Sequence, residues 1–287
     1  MPQGSVLGPL LFILFFNAIV KDRGFVDVAM YADDIAAWYA SKNLGVLQQK
    51  LQEFLDNIHA WTSQYRVKLN VGKSVYNMFT LNTKFNTIDL YFAGAKIAKD
   101  ESPRFLGVTL DPRLTFTKYI DELVSRCNKR LNMMRSIRGR TWGASEKLLL
   151  TTYKALVRSL IDYAPIILIL LPPSTLDRIE QVQREAARIV ARAEHRAPTA
   201  EIFERLRLET IAKRSADMSI SYWRNSIREN TLVREVKQAY EQDAPLREGA
   251  ERQTTPRTTI IGRIIELERE WLQAHGMSSP SVFQMRF

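Results

Sequence analysis

Apolar positions change their period near residue 115, and the chain divides there. Before it, Val26–Tyr31 and Ile35–Ala40 are strand-like runs separated only by Ala32, Asp33 and Asp34, which is hairpin spacing. Leu44, Leu47, Leu51, Phe54, Leu55, Ile58, Trp61 and Tyr65 then recur at three- and four-residue intervals, predicting an amphipathic helix. Val75–Leu81, Ile88–Phe92 and Phe105–Leu110 read as further strands, with Gly94 turning the chain into Lys96 and Ile97. From Thr115 onward Phe116, Ile120, Leu123, Val124, Cys127, Leu131, Met134 and Ile137 predict a long helix, followed by helices over 144–163, 174–194 and 199–214. The fold class is therefore α+β to about residue 112, then all-helical. The tail has helical composition over 215–242, a linker over 243–257 rich in Arg, Glu, Thr and Pro, and a last amphipathic helix over 260–274.

Val6–Val20 is apolar enough to raise the question of a membrane span. It is too short, Asn17 interrupts it, and no Lys or Arg precedes it. A buried helix fits better, with Gly4 and Ser5 as turn and N-cap and Pro9 in the first turn. Ala164–Leu171 reads as a core segment or loop.

Composition adds a partner class. The 287 residues are 46% hydrophobic and 25% charged, which is globular and not disordered. Cys127 is the single cysteine, so internal disulfides and multi-cysteine zinc sites are excluded. The net charge is +10, which favours polyanions. Residues 101–215 hold most of it, with 21 Lys/Arg against 13 Asp/Glu. Within them, Arg126, Lys129, Arg130, Arg135, Arg138 and Arg140 meet no acidic residue between Leu123 and Ser145. A solvated helix face normally balances such cations with acids four residues away.

Asp33 and Asp34 are the candidate chemistry. Adjacent carboxylates repel, and a divalent cation such as Mg²⁺, with its preference for hard oxygen ligands and substrate phosphates, would relieve them. The plain alternative is a polar hairpin turn.

Four ordered motifs bear on that choice: Pro2-Gln3-Gly4-Ser5 running into Val6–Phe12, Tyr31-Ala32-Asp33-Asp34, Leu69–Ser74, and Phe105–Asp111. In order and spacing they resemble the reverse transcriptases of non-LTR retrotransposons of the jockey-like kind. Tyr153–Ser159 and Ile179–Ala186 resemble the segment that follows the polymerase motifs there, so the likeness covers roughly residues 2–214. The resemblance implies a polymerase palm, an antiparallel sheet with helices, over 1–112 and an all-α thumb with following helices over 113–214, with 215–287 a helical extension. It also implies an RNA-directed DNA polymerase, a nucleotidyltransferase that joins deoxynucleoside triphosphates to a DNA primer 3′-hydroxyl on an RNA template.

Residue by residue, the resemblance makes Asp33 a ligand of two catalytic Mg²⁺ ions and Asp34 an auxiliary carboxylate. Gln3, Gly4 and Ser5 would lie against the nascent base pair, or simply start a helix. Lys73 would protonate departing pyrophosphate, or be a solvated lysine. Phe105, Leu106 and Gly107 would grip the primer end, or be core. The basic stretch from Arg126 to Arg140 would contact nucleic-acid phosphates.

The likeness breaks at one point. The family carries fingers and a first palm strand, with another metal-binding aspartate, ahead of the motif that here starts at residue 3. We therefore expect a truncated reading frame, a misplaced start or a decayed copy, with an incomplete two-metal site, little polymerase activity alone, and apolar surface exposed from Leu10 to Phe16 that invites aggregation or a partner such as the missing N-terminal part. The competing expectation is a non-catalytic nucleic-acid-binding remnant. A membrane-anchored protein is a third reading and is not expected; the nucleus is the location that family behaviour implies.

Overall fold

A computed structural model of the chain describes residues 4–20, 24–80, 87–139, 143–194, 197–230, 234 and 260–274. It forms two compact units, Met1–Tyr119 and Ile120–Phe287.

In the first unit, α1 (Gly8–Phe16) leads through a short 3₁₀ turn to a hairpin of β1 (Asp27–Tyr31) and β2 (Asp34–Trp38), antiparallel with Tyr31 opposite Asp34. Helix α2 (Leu44–Gln64) follows as the apolar spacing predicts, started by Asn43, whose side-chain oxygen accepts from the N–H groups of Gly45 and Val46. Phe54 and Ile58 of α2 share a core with Ile19, Val26, Ile88, Leu90, Phe92 and Ile97.

Where an antiparallel sheet with helices is expected, the described residues form separate two-stranded pieces, most of them antiparallel. Strands β3 (Val75–Tyr76) and β6 (Ala98–Lys99) pair in parallel, β4 (Tyr91–Phe92) pairs with β5 (Ala95–Lys96), and β7 (Arg104–Phe105) pairs with β8 (Val108–Thr109). The class is mixed helix and small sheets. The runs read as strands are cut short because Ala93 and Gly94, then Leu106 and Gly107, take positive φ and fold the chain back after two residues.

α1 also departs from expectation. It begins after Leu7 without a side-chain cap, the Ser5 backbone carbonyl instead accepting from the Gly8 N–H at 3.3 Å, with Pro9 in the first turn beyond it. No residue of α1 is buried. Phe15 rests 5.1 Å from the Trp61 ring and 5.6 Å from Tyr65, while Leu10, Leu11, Ile13 and Leu14 face outward. The expected apolar exposure is present, and the expected burial is not. Among the described residues, no helix is long and apolar enough to cross a membrane.

Asp111 ties off the first unit. Its carboxylate accepts from the N–H groups of Arg113 (3.1 Å), Thr115 (3.0 Å) and Phe116 (2.7 Å), holding Leu114 and Phe116 at positive φ. Burial raises its pKa, but the backbone donors outweigh burial and hold it below the ordinary 3.8. The carboxylate's contribution is thus present above that value and lost as pH falls through the lower native pKa. Asp111→Ala is expected to destabilise the chain by about 1–2 kcal/mol near neutrality. Thermal melts should show that deficit shrinking below about pH 4 as wild type loses the same bonds; a pH-independent deficit would contradict the assignment.

The second unit is helical. α3 (Thr117–Arg138), of which Tyr119 and the residues before it belong to the first unit, buries Ile120, Leu123, Cys127, Leu131 and Met134. α4 (Glu146–Thr152) continues through a π-helical turn (Tyr153–Arg158) into α5 (Ser159–Ile161), and α6 (Pro165–Leu168) fills the segment left open between core and loop. α7 (Pro173–Ala191) buries Ile179, Val182, Gln183, Ala186 and Val190. The helix expected over 199–214 is broken: α8 (Thr199–Leu206) ends at Arg207 in the left-handed region, and α9 (Ile211–Glu229) restarts under a Thr210 cap that accepts from Lys213 N–H. α10 (Ile260–Ala274) packs Ile264 and Ile265 on Trp223 of α9. The linker expected over 243–257 lies outside the described residues.

Buried polar groups fix the register of these helices. The Tyr153 hydroxyl donates to Gln183 Oε1 at 2.7 Å, and Gln183 Nε2 donates to the Glu209 carbonyl at 2.7 Å. Arg214 donates twice from Nε and once from Nη2 to the Asp162 carboxylate, at 2.7–3.1 Å. Burial pushes the Tyr153 phenol well above its ordinary pKa, so it is a donor at any physiological pH.

Candidate functional site

Asp33 sits at a tip. β1 and β2 leave only Ala32 and Asp33 as the loop, and Ala32 takes φ 54°, where glycine is easier. Asp34 opens β2. Both aspartates are exposed, so the turn presents two adjacent carboxylates to solvent. Among the described residues no cluster of three or more His, Cys, Asp or Glu stands ready for a metal. The donor chemistry still suits a hard divalent cation, which is held by one or two carboxylates when substrate phosphates complete its shell. A cage for two ions needs more carboxylate than these two residues supply.

Phe105, Leu106 and Gly107 form a tip of the same construction. Leu106 (φ 45°) and Gly107 (φ 81°) are the two loop residues between β7 and β8, and Phe105 pairs with Val108. Phe105 is half-buried and Leu106 exposed, so the second of them is not core. Lys73 ends a 3₁₀ turn (Val71–Lys73) and is exposed; among the described residues no ion pair links it to Asp33 or Asp34. Gly4 has φ 90° and nothing within 4 Å of a Cβ built there, consistent with the turn, and Ser5 is exposed. Gln3 and Arg140 lie outside the described residues.

The basic stretch sorts into two kinds of residue. Arg126 and Lys129 are exposed on α3. Arg130 is half-buried and donates to the Leu156 carbonyl, and Arg135 pairs with Glu185 of α7 and donates to Asn132. Acid partners missing along the helix are thus partly supplied across it. Cys127 between them is no nucleophile: burial raises its thiol to about 11 against the pull of Arg130 and Arg126.

Arg138 enters a cavity lined also by Arg184 and Arg188 of α7, residues that sequence reasoning did not single out. The available signal was the spacing of Gln181, Arg184, Glu185 and Arg188, which puts them on the face of α7 opposite its apolar one.

Residues 1–110 match the reverse transcriptase (RNA-dependent DNA polymerase) family, and this places the carboxylate hairpin in a reverse transcriptase segment. The chain is 31% identical over 198 residues to a probable RNA-directed DNA polymerase from transposon BS of Drosophila melanogaster, covering 66% of the chain and 22% of that relative. The RNA-directed DNA polymerase from mobile element jockey is 28% identical over 278 residues in Drosophila funebris, covering 92% of the chain and 28% of the relative. In Drosophila melanogaster the jockey polymerase is 25% identical over 244 residues, covering 82% and 26%. Residues 1–110 are thus a reverse transcriptase segment, and the relatives that the longer alignments match are RNA-directed DNA polymerases of mobile elements. It spans about a quarter of the length of these relatives. No solved structure matches it significantly.

Proposed function

We propose that this chain is the carboxylate-bearing part of an RNA-directed DNA polymerase, acting on a DNA primer annealed to an RNA template with deoxynucleoside triphosphates. The observation that carries the reading is the two-residue turn that exposes Asp33 and Asp34 within the family-matching segment. Reverse transcriptases use divalent metal ions, and magnesium is our assignment. Asp33 and Asp34 would hold it together with substrate phosphates, and when bound it neutralises charge on the reacting phosphoryl oxygens. The chain's own residues then have separate tasks. Phe105–Gly107 positions the primer end, Gly4 and Ser5 let backbone approach the base pair, and Arg126 and Lys129 hold phosphates. Because two carboxylates do not complete a two-ion site, we expect binding of the incoming nucleotide but little incorporation from this chain alone.

The test is retention of a primed RNA template and the next deoxynucleotide with Mg²⁺ or with chelator. Stronger retention with Mg²⁺ supports the polymerase reading. Equal retention supports the second reading, a nucleic-acid-binding remnant, which the lack of a third carboxylate among the described residues favours.

Phosphate contacts have their own readout. Arg126→Ala with Lys129→Ala is expected to lower the slope of log K against log salt by about 1.8 on an RNA–DNA duplex, at roughly 0.9 per phosphate contact. Titrations at four salt concentrations check it, and an unchanged slope removes both residues from the interface.

A further inference from the structure

We propose that the cavity between the C-terminal halves of α3 and α7 binds a phosphate oxyanion. It has a volume of about 490 Å³, and Arg135, Arg138, Gln181, Arg184, Glu185 and Arg188 line it. Four guanidiniums therefore face one carboxylate. Two of them are committed: Arg135 pairs with Glu185, and Arg184 pairs with Asp177 at 2.7 Å. Arg138 and Arg188 have no acidic partner among the described residues, and Arg188 Nε is buried without any hydrogen-bond partner. Guanidiniums without an acid keep their charge-assisted hydrogen-bonding capacity for an anion that a ligand brings.

The bland explanation is that arginines near helix C-termini answer the helix dipoles. The magnitudes do not support it. Each helix end is equivalent to about half a negative charge, so two ends offset only about one of the two positive charges that Arg138 and Arg188 leave without an acid. The remainder needs an anion. Guanidinium forks match the paired oxygens of phosphate, and the cavity is large enough for more than one phosphate group. Glu185 occupies Arg135 as an internal competitor, so an arriving phosphate exchanges with it. The proposal does not rest on the carboxylate hairpin and holds whether or not the chain transfers nucleotides.

Two sources share this chemistry, free pyrophosphate and the backbone of nucleic acid. Calorimetric titration of the full chain with inorganic pyrophosphate, and separately with an unpaired oligouridylate, distinguishes them. Arg138→Ala with Arg188→Ala is expected to weaken binding about tenfold or more, the usual effect of losing charge-assisted hydrogen bonds. Glu185→Gln is expected to tighten it several-fold, and Lys147→Ala, exposed on α4, to change nothing. Arginine-dependent binding of pyrophosphate assigns the free ion, and arginine-dependent binding of the oligonucleotide alone assigns the backbone; either supports the site. No binding by the wild-type chain, or unchanged affinity in a double variant whose circular dichroism is native, overturns it. Should the double variant not fold, an unchanged affinity in Glu185→Gln overturns it equally.

Discussion

Gln183→Ala is expected to destabilise the helical unit by about 3–5 kcal/mol, the largest stability effect of any single polar substitution in it. Gln183 is fully buried in α7 and satisfies two groups on other elements, the Tyr153 hydroxyl and the Glu209 carbonyl. Truncation leaves the Tyr153 hydroxyl unpaired in the interior, at about 1–3 kcal/mol, removes the bond to the Glu209 carbonyl and opens a cavity beside them. Tyr153→Phe should cost less, because it strands only Gln183 Oε1. Combining Tyr153→Phe with Gln183→Met should cost less than the sum of the two changes, since partners removed together leave fewer orphans. Urea titrations followed by circular dichroism decide the matter. A Gln183→Ala midpoint within error of wild type would mean that water or a rearranged helix replaces the network.

Asp33→Asn is expected to keep the fold and to lose the Mg²⁺-dependent part of nucleotide binding, by about ten- to a hundredfold. The fold should survive because Asp33 is an exposed loop residue and Asn tolerates tight turns as well as Asp. The loss follows from chemistry: an amide oxygen is a neutral, weaker ligand, and one charge-assisted contact is worth about 1.5–3 kcal/mol. Asp34→Asn should have the smaller effect if Asp34 is auxiliary. The order of the two variants therefore tests the assignment of roles as well as the site.

The sequence was most informative where local spacing decides structure. The apolar stripe from Leu44 to Tyr65 and the Asn43 cap set α2 before any tertiary contact, and the interval between Tyr31 and Ile35 left no loop longer than a tight turn. The helical unit was legible for the same reason, since Ile120, Cys127, Leu131 and Met134 of α3 all lie inside. What was not legible depended on contacts or on backbone geometry that residue type does not announce. Arg207 ends a helix in the left-handed region that glycine usually takes, so nothing in its identity marks the break between α8 and α9. Val6–Val20 is apolar enough for a core, yet among the described residues only Phe15 and Phe16 of α1 find aromatic partners outside the helix, on Trp61 and Tyr65. Burial needs a partner as well as apolarity. The carboxylate pair and the Leu106-Gly107 turn were named from motifs, and the basic face of α3 from its run of cations without acids. Arg184 and Arg188 were missed because their importance lies in meeting Arg138 across two helices.

The central claim is that Asp33 and Asp34 bring a metal-bound deoxynucleotide to an RNA template. The most direct measurement is equilibrium binding of each of the four deoxynucleoside triphosphates to the full chain on a primed RNA template, in Mg²⁺ and in chelator, for wild type and Asp33→Asn. The expected result is tighter binding of the nucleotide complementary to the next template base, lost with chelator and lost in Asp33→Asn. Equal binding of all four nucleotides, indifferent to Mg²⁺ and to the substitution, would contradict the account and leave a chain that holds nucleic acid without directing synthesis.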